Sequence, residues 1–139
     1  MKILLLNGPN LNMLGQRDPS LYGSQTLAEV EQAVRAHANS LGAKVVCRQS
    51  NSEGVLIDIL QSAKVDAVIL NAGAYSHYSY ALRDCIECLT IPVVEVHMTD
   101  IYSREEFRHT DVLKEVCKTS FVGGGLKSYL DAVDWLVKL

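Results

Sequence analysis

The sequence predicts an α/β domain built on one five-stranded parallel sheet. Short apolar runs of strand length alternate with segments whose apolar residues recur at helical spacing, which is typical of a parallel sheet covered by helices on both faces. The turn after the first run lacks both the G-x-G-x-x-G of dinucleotide-binding domains and the Gly-Lys-Ser/Thr of P-loops. We therefore predict a flavodoxin-like three-layer fold with strand order 2-1-3-4-5.

The first strand is predicted at Ile3–Leu6, because a continuous apolar run is expected where both faces of a strand are buried. A long loop follows. The first long helix then begins at Thr26, which forms the T-x-x-E pattern of a capping box with Glu29. Apolar residues recur at helical spacing as far as Leu41, and Gly42 is a favourable stop.

The middle of the chain continues the alternation. Lys44–Arg48 is predicted as the second strand because β-branched residues lie at its centre. Ser50–Glu53 has the S-x-x-E form of a helix start, and an apolar face follows it. The third strand is Val65–Leu70, and the loop Asn71–His77 connects it to a helix over about Tyr78–Leu89.

Two more strands complete the sheet. Pro92–Val96 is the fourth, with proline at its first position, where no ladder donor is lost. Ser103 is predicted to cap a short helical segment. Thr119–Val122 is the fifth strand, and three glycines turn the chain into a last helix, whose apolar face runs from Leu126 to Val137.

Composition limits the partners of the protein. Its 139 residues form one domain by size, and a net charge of −3 offers no basic surface for nucleic acid. No apolar run approaches the roughly 20 residues that cross a bilayer, so we expect no membrane association and a cytoplasmic location. The four cysteines are expected to be free thiols, with Cys85 and Cys88 as small core residues on one helix face rather than metal ligands.

Polar residues stand where three predicted strands end. Asn7 follows the first strand, Asn71 the third and His97 the fourth, while Glu95 shares a face with His97 because strand side chains alternate. Ligands of open α/β sheets bind beyond the carboxyl ends of the strands, so these side chains are predicted to meet in one crevice. A carboxylate beside an imidazole fixes its tautomer and raises its pKa, as a general acid requires. The alternative is that the asparagines only close turns and the histidine is a buried structural residue.

The loop after the first strand, residues 7–23, is long for a compact domain, and such loops are usually functional. It contains Arg17 and Tyr22. A tyrosine is almost wholly protonated at neutral pH, so a tyrosine base requires that its anion be stabilised. Two guanidinium groups in a closed, water-poor loop could do so, and Arg83, Arg104 and Arg108 are candidates for the second. The alternative is a solvated loop with a packing tyrosine.

Six blocks of the sequence together resemble the type II 3-dehydroquinate dehydratases, or type II dehydroquinases. They occur in the order of that family, and the similarity covers nearly the whole chain. The blocks are Asn7–Gly15, Arg17–Gly23, Gln49–Gly54, Asn71–Asp84, Pro92–His97 and Arg104–Arg108.

The resemblance implies a hydro-lyase with no cofactor and no metal, which converts 3-dehydroquinate to 3-dehydroshikimate by trans elimination of water through an enolate. It implies that Tyr22 is the base and that Arg17 supports it. Asn10 would hold a water on the enolate. His97 would be the acid, and the carboxylate of Glu95 would orient it. Arg104 would assist Arg17. Substrate contacts would come from Asn71, His77, Asp84, Met98, Thr99 and Arg108.

The resemblance also implies how the chain is organised. Residues 1–139 would form a single catalytic domain, and a lid over about residues 11–24 would close on the substrate and exclude water. The chain would assemble into a homododecamer, a tetramer of trimers, with Asp84 crossing a subunit boundary. Shikimate biosynthesis and quinate breakdown are both open as the pathway.

The sequence departs from the family pattern at a few positions. Thr99-Asp100 stands where Ser-Asn is common, and Tyr102-Ser103 stands where His-Ala is frequent. Asp100 would add a negative charge near an anionic substrate, while Tyr78 and Tyr80 make the entry to the following helix more aromatic. Two alternatives are a non-catalytic flavodoxin-like module that binds an anion or a protein, and another α/β lyase or hydrolase with His97 as its base.

Overall fold

The computed structural model describes all 139 residues, and its five strands form a single sheet in which every neighbouring pair is parallel. The strands are β1 (Lys2–Asn7), β2 (Lys44–Gln49), β3 (Ala67–Asn71), β4 (Val93–His97) and β5 (Thr119–Val122). Their order, β2-β1-β3-β4-β5, confirms the predicted flavodoxin-like topology.

Helices cover both faces of the sheet, which confirms the three layers. They are α1 (Pro19–Tyr22), α2 (Leu27–Ser40), α3 (Glu53–Ser62), α4 (Tyr80–Cys88) and α5 (Leu126–Val137). Helices α2 and α5 pack on one face, and α3 and α4 pack on the other. None of the five is long and apolar enough to span a bilayer.

The continuous apolar run of β1 reflects its central place in the sheet. Ile3 and Leu5 pack towards α2 and α5, whereas Leu4 and Leu6 pack towards α3 and α4. All four are buried. Because successive strand residues point to opposite faces, a strand with helices on both sides must be apolar at every position.

The start of α3 differs from the prediction. Its cap is Ser52, whose hydroxyl accepts from the amide of Val55 at 3.2 Å. Ser50 instead closes a turn by accepting from the amide of Ser52. Glu53, which the S-x-x-E pattern assigns to the cap, accepts from the hydroxyl of Ser79 at the start of α4. The S-x-x-E pattern therefore places the helix cap two residues too early, because the side chains of Ser50 and Glu53 each have another partner.

The predicted cap at Ser103 is also wrong. The segment forms two short 3₁₀ turns, Ile101–Ser103 and Glu106–His109, separated by Arg104 in an extended conformation. Asp100 caps the first turn by accepting from the amide two residues later at 3.1 Å. The extended residue ends any continuing helix, and its side chain enters the crevice described below.

Helix α4 is shorter than predicted, because a 3₁₀ turn at Gly73–His77 precedes it and Ser79 forms its cap. Cys85 is buried as predicted, but Cys88 is exposed and is not a core residue. All four cysteines are free thiols. The loop after β1 is less irregular than its sequence indicates, since it contains a 3₁₀ turn at Leu11–Met13 as well as α1.

A buried polar chain joins the last helix to the centre of the sheet. The hydroxyl of Tyr129 in α5 donates to Oδ1 of Asn7 at 2.7 Å and accepts from Nδ2 of Asn71 at 2.8 Å. Beside it, the amide of Gly8 donates to the carbonyl of Asn71 at 2.7 Å. A Cβ at Gly8 would lie 2.7 Å from the carbonyl oxygen of Ala72, so only glycine allows these two strand exits to approach so closely.

Candidate active site

The carboxyl ends of β1, β3 and β4 open into a crevice lined by 15 residues. Ten residues singled out from the sequence line it: Asn10, Arg17, Tyr22, Asn71, His77, His97, Met98, Thr99, Arg104 and Arg108. Glu95 lies beneath it in contact with His97. Asn7 and Asp84 do not line it: Asn7 is fully buried below the crevice, and Asp84 is exposed on α4.

Tyr22 is held between two arginines. Its hydroxyl oxygen accepts from Arg17 and from Arg104, each at 2.8 Å. The guanidinium of Arg17 also lies 3.7 Å from the centre of the phenol ring. Arg104 donates in addition to the hydroxyl of Thr99 at 3.2 Å, which fixes its position. Of the three candidates for the second arginine, the structure selects Arg104.

Local folding brings these groups together. Leu11 and Leu14 are buried and anchor the start of the loop in the core. Asp18 then caps α1 by accepting from the amide of Ser20 at 3.0 Å, and Pro19 occupies the first helical position, where a missing amide donor costs nothing. This single helical turn carries Tyr22 back over Arg17.

The other two arginine candidates have different partners. Arg83 donates to the carbonyl of Val112 at 2.7 Å and to Glu115 at 3.0 Å, away from the tyrosine. Arg108 pairs with Glu105 at 2.8 Å while still lining the crevice. No aspartate or glutamate lines the crevice, so three arginines give it a positive field that favours an anion.

His97, which also lines the crevice, contacts two acids. Its Nε2 lies 2.9 Å from Oε2 of Glu95, which confirms that both side chains point to one face of β4. It also lies 3.6 Å from Oδ2 of Asp111. Burial lowers the pKa of His97, but the two carboxylates outweigh this effect and raise it to about 9. His97 is therefore a cation at neutral pH.

The two acids respond differently to this environment. Burial, with Asp111 close by, raises the pKa of Glu95 to about 7 against the opposing effect of His97. Burial also acts to raise the pKa of Asp111, but the neighbouring His97 and Glu95 outweigh burial and bring it below its usual range. When only one of these two acids is ionised, the negative charge next to His97 therefore lies mainly on Asp111.

His77 forms a wall of the crevice beside His97. The two rings stack with centroids 6.3 Å apart, and Nδ1 of His77 lies 2.8 Å from the carbonyl oxygen of Thr110. Burial lowers the pKa of His77, so it is neutral at pH 7. A neutral imidazole with one nitrogen engaged by the protein leaves the other for a ligand.

Asn10 enters the crevice from the exit of β1. It is the one non-glycine residue with positive φ, at 69°, and its amide donates to Oδ1 of Asn51 at 3.1 Å. Asparagine tolerates this left-handed conformation better than most residues do. This conformation and the bond to Asn51 fix the backbone of Asn10 at the mouth of the crevice.

Departures from the family pattern lie mostly outside the crevice. The carboxylate of Asp100 caps a 3₁₀ turn, and neither Asp100 nor Tyr102 lines the crevice. Tyr78 and Tyr80 are exposed at the start of α4. Thr99 does line it, and its hydroxyl accepts from Arg104.

Sequence reasoning missed Asp111, Asn51 and Tyr129. Asp111 is a lone carboxylate before two apolar residues, a pattern that carries no signal of a histidine partner 14 positions earlier in the chain. Tyr129 follows helical core spacing, so its hydroxyl gives no sign of two buried asparagines. Only the fold brings these groups together.

Only one group of side chains is compact enough to hold a metal ion. Glu95, His97 and Asp111 each offer one atom, and these atoms lie within 4.8 Å of one another. We interpret the group as sharing protons rather than holding a cation, because Nε2 of His97 already hydrogen-bonds to Glu95 and the imidazole is protonated at neutral pH.

The chain is similar over nearly its whole length to one family of proteins. A profile of the family described as Dehydroquinase class II matches residues 1–137. A 3-dehydroquinate dehydratase from Pelotomaculum thermopropionicum is 50% identical over 135 residues, which cover 96% of this chain and 94% of that protein. One from Prochlorococcus marinus is 48% identical over 139 residues, covering 99% and 96%. The crystal structure of a type II dehydroquinase from Butyrivibrio crossotus gives a TM-score of 0.96 at 42% identity, covering 100% of this chain and 98% of that one.

Proposed function

The chain belongs to the class II dehydroquinase family, and on that basis we propose that it eliminates water from 3-dehydroquinate, with Tyr22 as the base and His97 as the acid. The observation that carries this proposal is the hydrogen bonding of Tyr22 to two guanidinium groups in the same crevice as a protonated histidine. A base and an acid in one anion-binding site are what a proton-assisted elimination needs.

Tyr22 removes the proton at C2 of the substrate as its phenolate. A C–H beside a ketone is a weak acid, so both a strong base and a stabilised enolate are required. Arg17 and Arg104 stabilise the phenolate by donating to its oxygen from two directions. Asn10 holds a water against the enolate oxygen, and its fixed left-handed backbone orients the side chain for this role.

His97 then gives a proton to the departing hydroxyl, which leaves as water while the enolate collapses to the conjugated ketone. Nε2 faces Glu95, so Nδ1 is the nitrogen that donates. The carboxylate of Glu95 orients the ring and is fully buried, which keeps it from contacting the substrate itself. The proposed reaction uses no cofactor and no metal.

The remaining crevice residues bind the substrate. Asn71 and the backbone at Met98 and Thr99 hold the substrate carboxylate at the ends of β3 and β4. His77 and Arg108 take the ring hydroxyl groups. The positive field of the three arginines supports binding of this anion.

Two parts of the proposal concern regions around the crevice. Residues 11–24 form a lid that closes on the substrate, supported by the contact between Tyr22 and Arg104 across the crevice mouth.

Asp84 serves the site of a neighbouring chain in a homododecamer, a tetramer of trimers. Its exposed position on α4, outside the crevice of its own chain, is what such a role requires. We place the enzyme in the cytoplasm, in shikimate biosynthesis or quinate breakdown.

The proposed activity is tested by adding authentic 3-dehydroquinate and following the enone absorbance of 3-dehydroshikimate. We expect turnover that a chelator does not reduce and that borohydride does not abolish, because neither a metal nor a lysine Schiff base takes part. No gain in absorbance would leave an anion-binding module as the better assignment. Inactivation by borohydride only in the presence of substrate would instead indicate a covalent lysine intermediate.

Arg17→Ala should lower kcat by about 10²-fold to 10³-fold, as loss of one preorganised donor does at other anionic transition states. Tyr22 would keep Arg104 but lose one of its two donors. KM should change little, since Arg17 is assigned to the base rather than to the substrate. Steady-state kinetics measures both, with Arg35→Ala on the exposed face of α2 as the matched control. A rise in KM at unchanged kcat would reassign Arg17 to substrate binding.

A further inference from the structure

Asp111 meets the catalytic histidine from outside the strand that carries it. The side chain is 3% exposed, and its Oδ2 lies 3.6 Å from Nε2 of His97. Glu95 approaches the same nitrogen at 2.9 Å from two positions earlier in β4. Two carboxylates therefore flank one ring nitrogen, although orientation of the ring requires only one.

The backbone around Asp111 fixes this approach. Its Oδ1 accepts from the amide of Leu113 at 3.0 Å, so only the other carboxylate oxygen faces the histidine. The amide of Val112 donates to the carbonyl of Ser76 at 2.8 Å, and Val112 and Leu113 are buried in the core beneath α4. The position of Asp111 is thus set by packing and hydrogen bonds on both sides.

Glu95 alone is a poor source of constant charge. It is fully buried, its Oε1 has no hydrogen-bond partner, and its pKa is raised to about 7, chiefly by burial. Near neutral pH it is therefore protonated part of the time. Asp111 has a lowered pKa and stays ionised. A negative charge remains beside His97 in either state of Glu95.

The other titratable or charged groups around this cluster do not supply that charge. His77 is stacked on His97 from the 3₁₀ turn after β3 and is neutral at pH 7. Arg108 approaches from the second 3₁₀ turn after β4, and its positive charge cannot stabilise a protonated imidazole. Burial raises the pKa of the Cys117 thiol, so it too is neutral. Asp111 is the remaining candidate.

We propose that Asp111 is a positioning residue for His97, which keeps the imidazole protonated on Nε2 and leaves Nδ1–H directed at the crevice. The two acids and the imidazole act as one group that holds its protons jointly. Asp111 does not line the crevice, so it acts on the substrate only through His97. This positioning role rests on the proposed function of His97 as the acid. The contact between Asp111 and His97, and its effect on the protonation of the ring, do not depend on that function.

Asp111→Asn tests this role while keeping the side chain the same size. The amide oxygen can still accept from Leu113, so the turn is retained. We expect the pKa of His97 to fall by about one unit, the low end of the usual effect of a neighbouring charge. Carbon-13 labelling of the histidine ring followed by NMR titration measures it without substrate, with a His97→Gln sample to assign the signal among four histidines.

The same variant should show a matching kinetic change. The alkaline fall in kcat should move to lower pH by about the same one unit, with KM within about twofold of the parent. Asp58→Asn, on the exposed face of α3, is the control and should move neither quantity. An unchanged His97 titration in a folded Asp111→Asn protein would overturn the proposal, whereas a moved titration without any dehydratase activity would overturn only the proposed function.

The parent protein supplies a test that needs no variant. Because Glu95, His97 and Asp111 are coupled, the NMR signal of His97 should change in two steps as the pH rises. One step should lie near pH 7, where the pKa of Glu95 lies, and the other near pH 9, where the pKa of His97 lies. A single step near the ordinary histidine value, about 6.5, would show that the carboxylates do not act on the ring and would overturn the proposal.

Discussion

Tyr22→Phe should lower kcat for 3-dehydroquinate by about 10³-fold or more, because general-base catalysis typically contributes 10²-fold to 10⁴-fold. The substitution removes one oxygen atom, and that oxygen is the acceptor for both Arg17 and Arg104. The ring and its contact with the Arg17 guanidinium are retained. KM should therefore stay within a few fold of the parent value.

Steady-state kinetics and substrate binding by calorimetry measure the two effects separately. The matched control is Tyr80→Phe, since Tyr80 is 67% exposed at the start of α4 and outside the crevice. Near-normal turnover by the Tyr22→Phe enzyme would remove Tyr22 as the base. Loss of binding with little change in kcat would make it a substrate contact instead.

His97→Gln should reduce kcat by about 10²-fold to 10⁴-fold, the usual contribution of a general acid. Glutamine can donate a hydrogen bond to Glu95 but carries no proton to transfer. Alanine would be a poorer choice, because it would leave two buried carboxylates facing each other without a cation between them.

The pH profile separates this acid role from a structural one. The pKa of His97 is raised to about 9, so the imidazolium is present below that pH and is lost as the pH rises through it. The parent kcat should therefore fall above about pH 9, and the His97→Gln enzyme should lack this fall. His37→Gln on α2, which does not line the crevice, is the control. A parent enzyme with the same alkaline profile as His97→Gln would exclude His97 as the acid.

Much of the fold could be predicted because the sheet is buried on both sides. Each central strand then needs an uninterrupted apolar run, and β1 and β3 supply one. The helix starts were harder. Ser50 and Ser52 both have the right chemistry for a cap, and the choice between them depends on a turn bond that the local pattern does not encode.

The site was predictable as far as strand order could place it. Asn71 and His97 end neighbouring strands, so topology alone predicts that they meet. Spacing alone could not choose Arg104 over Arg83, although the family resemblance implied Arg104, because the choice depends on how the segment after β4 breaks into two 3₁₀ turns. Asp111 was missed for the same reason, since its approach to His97 depends on the conformation of that irregular segment.

The contact of Tyr129 with Asn7 and Asn71 has a consequence for the order of folding. The hydroxyl that binds both amides belongs to α5, 122 residues after Asn7 and 58 residues after Asn71. Before α5 packs on the sheet, water can hydrogen-bond to both amides, and burying either one without a partner would cost about 1–3 kcal/mol. The Tyr129 hydroxyl replaces that water as the helix docks, so the floor of the crevice is complete only after the most distant contact of the sheet has formed.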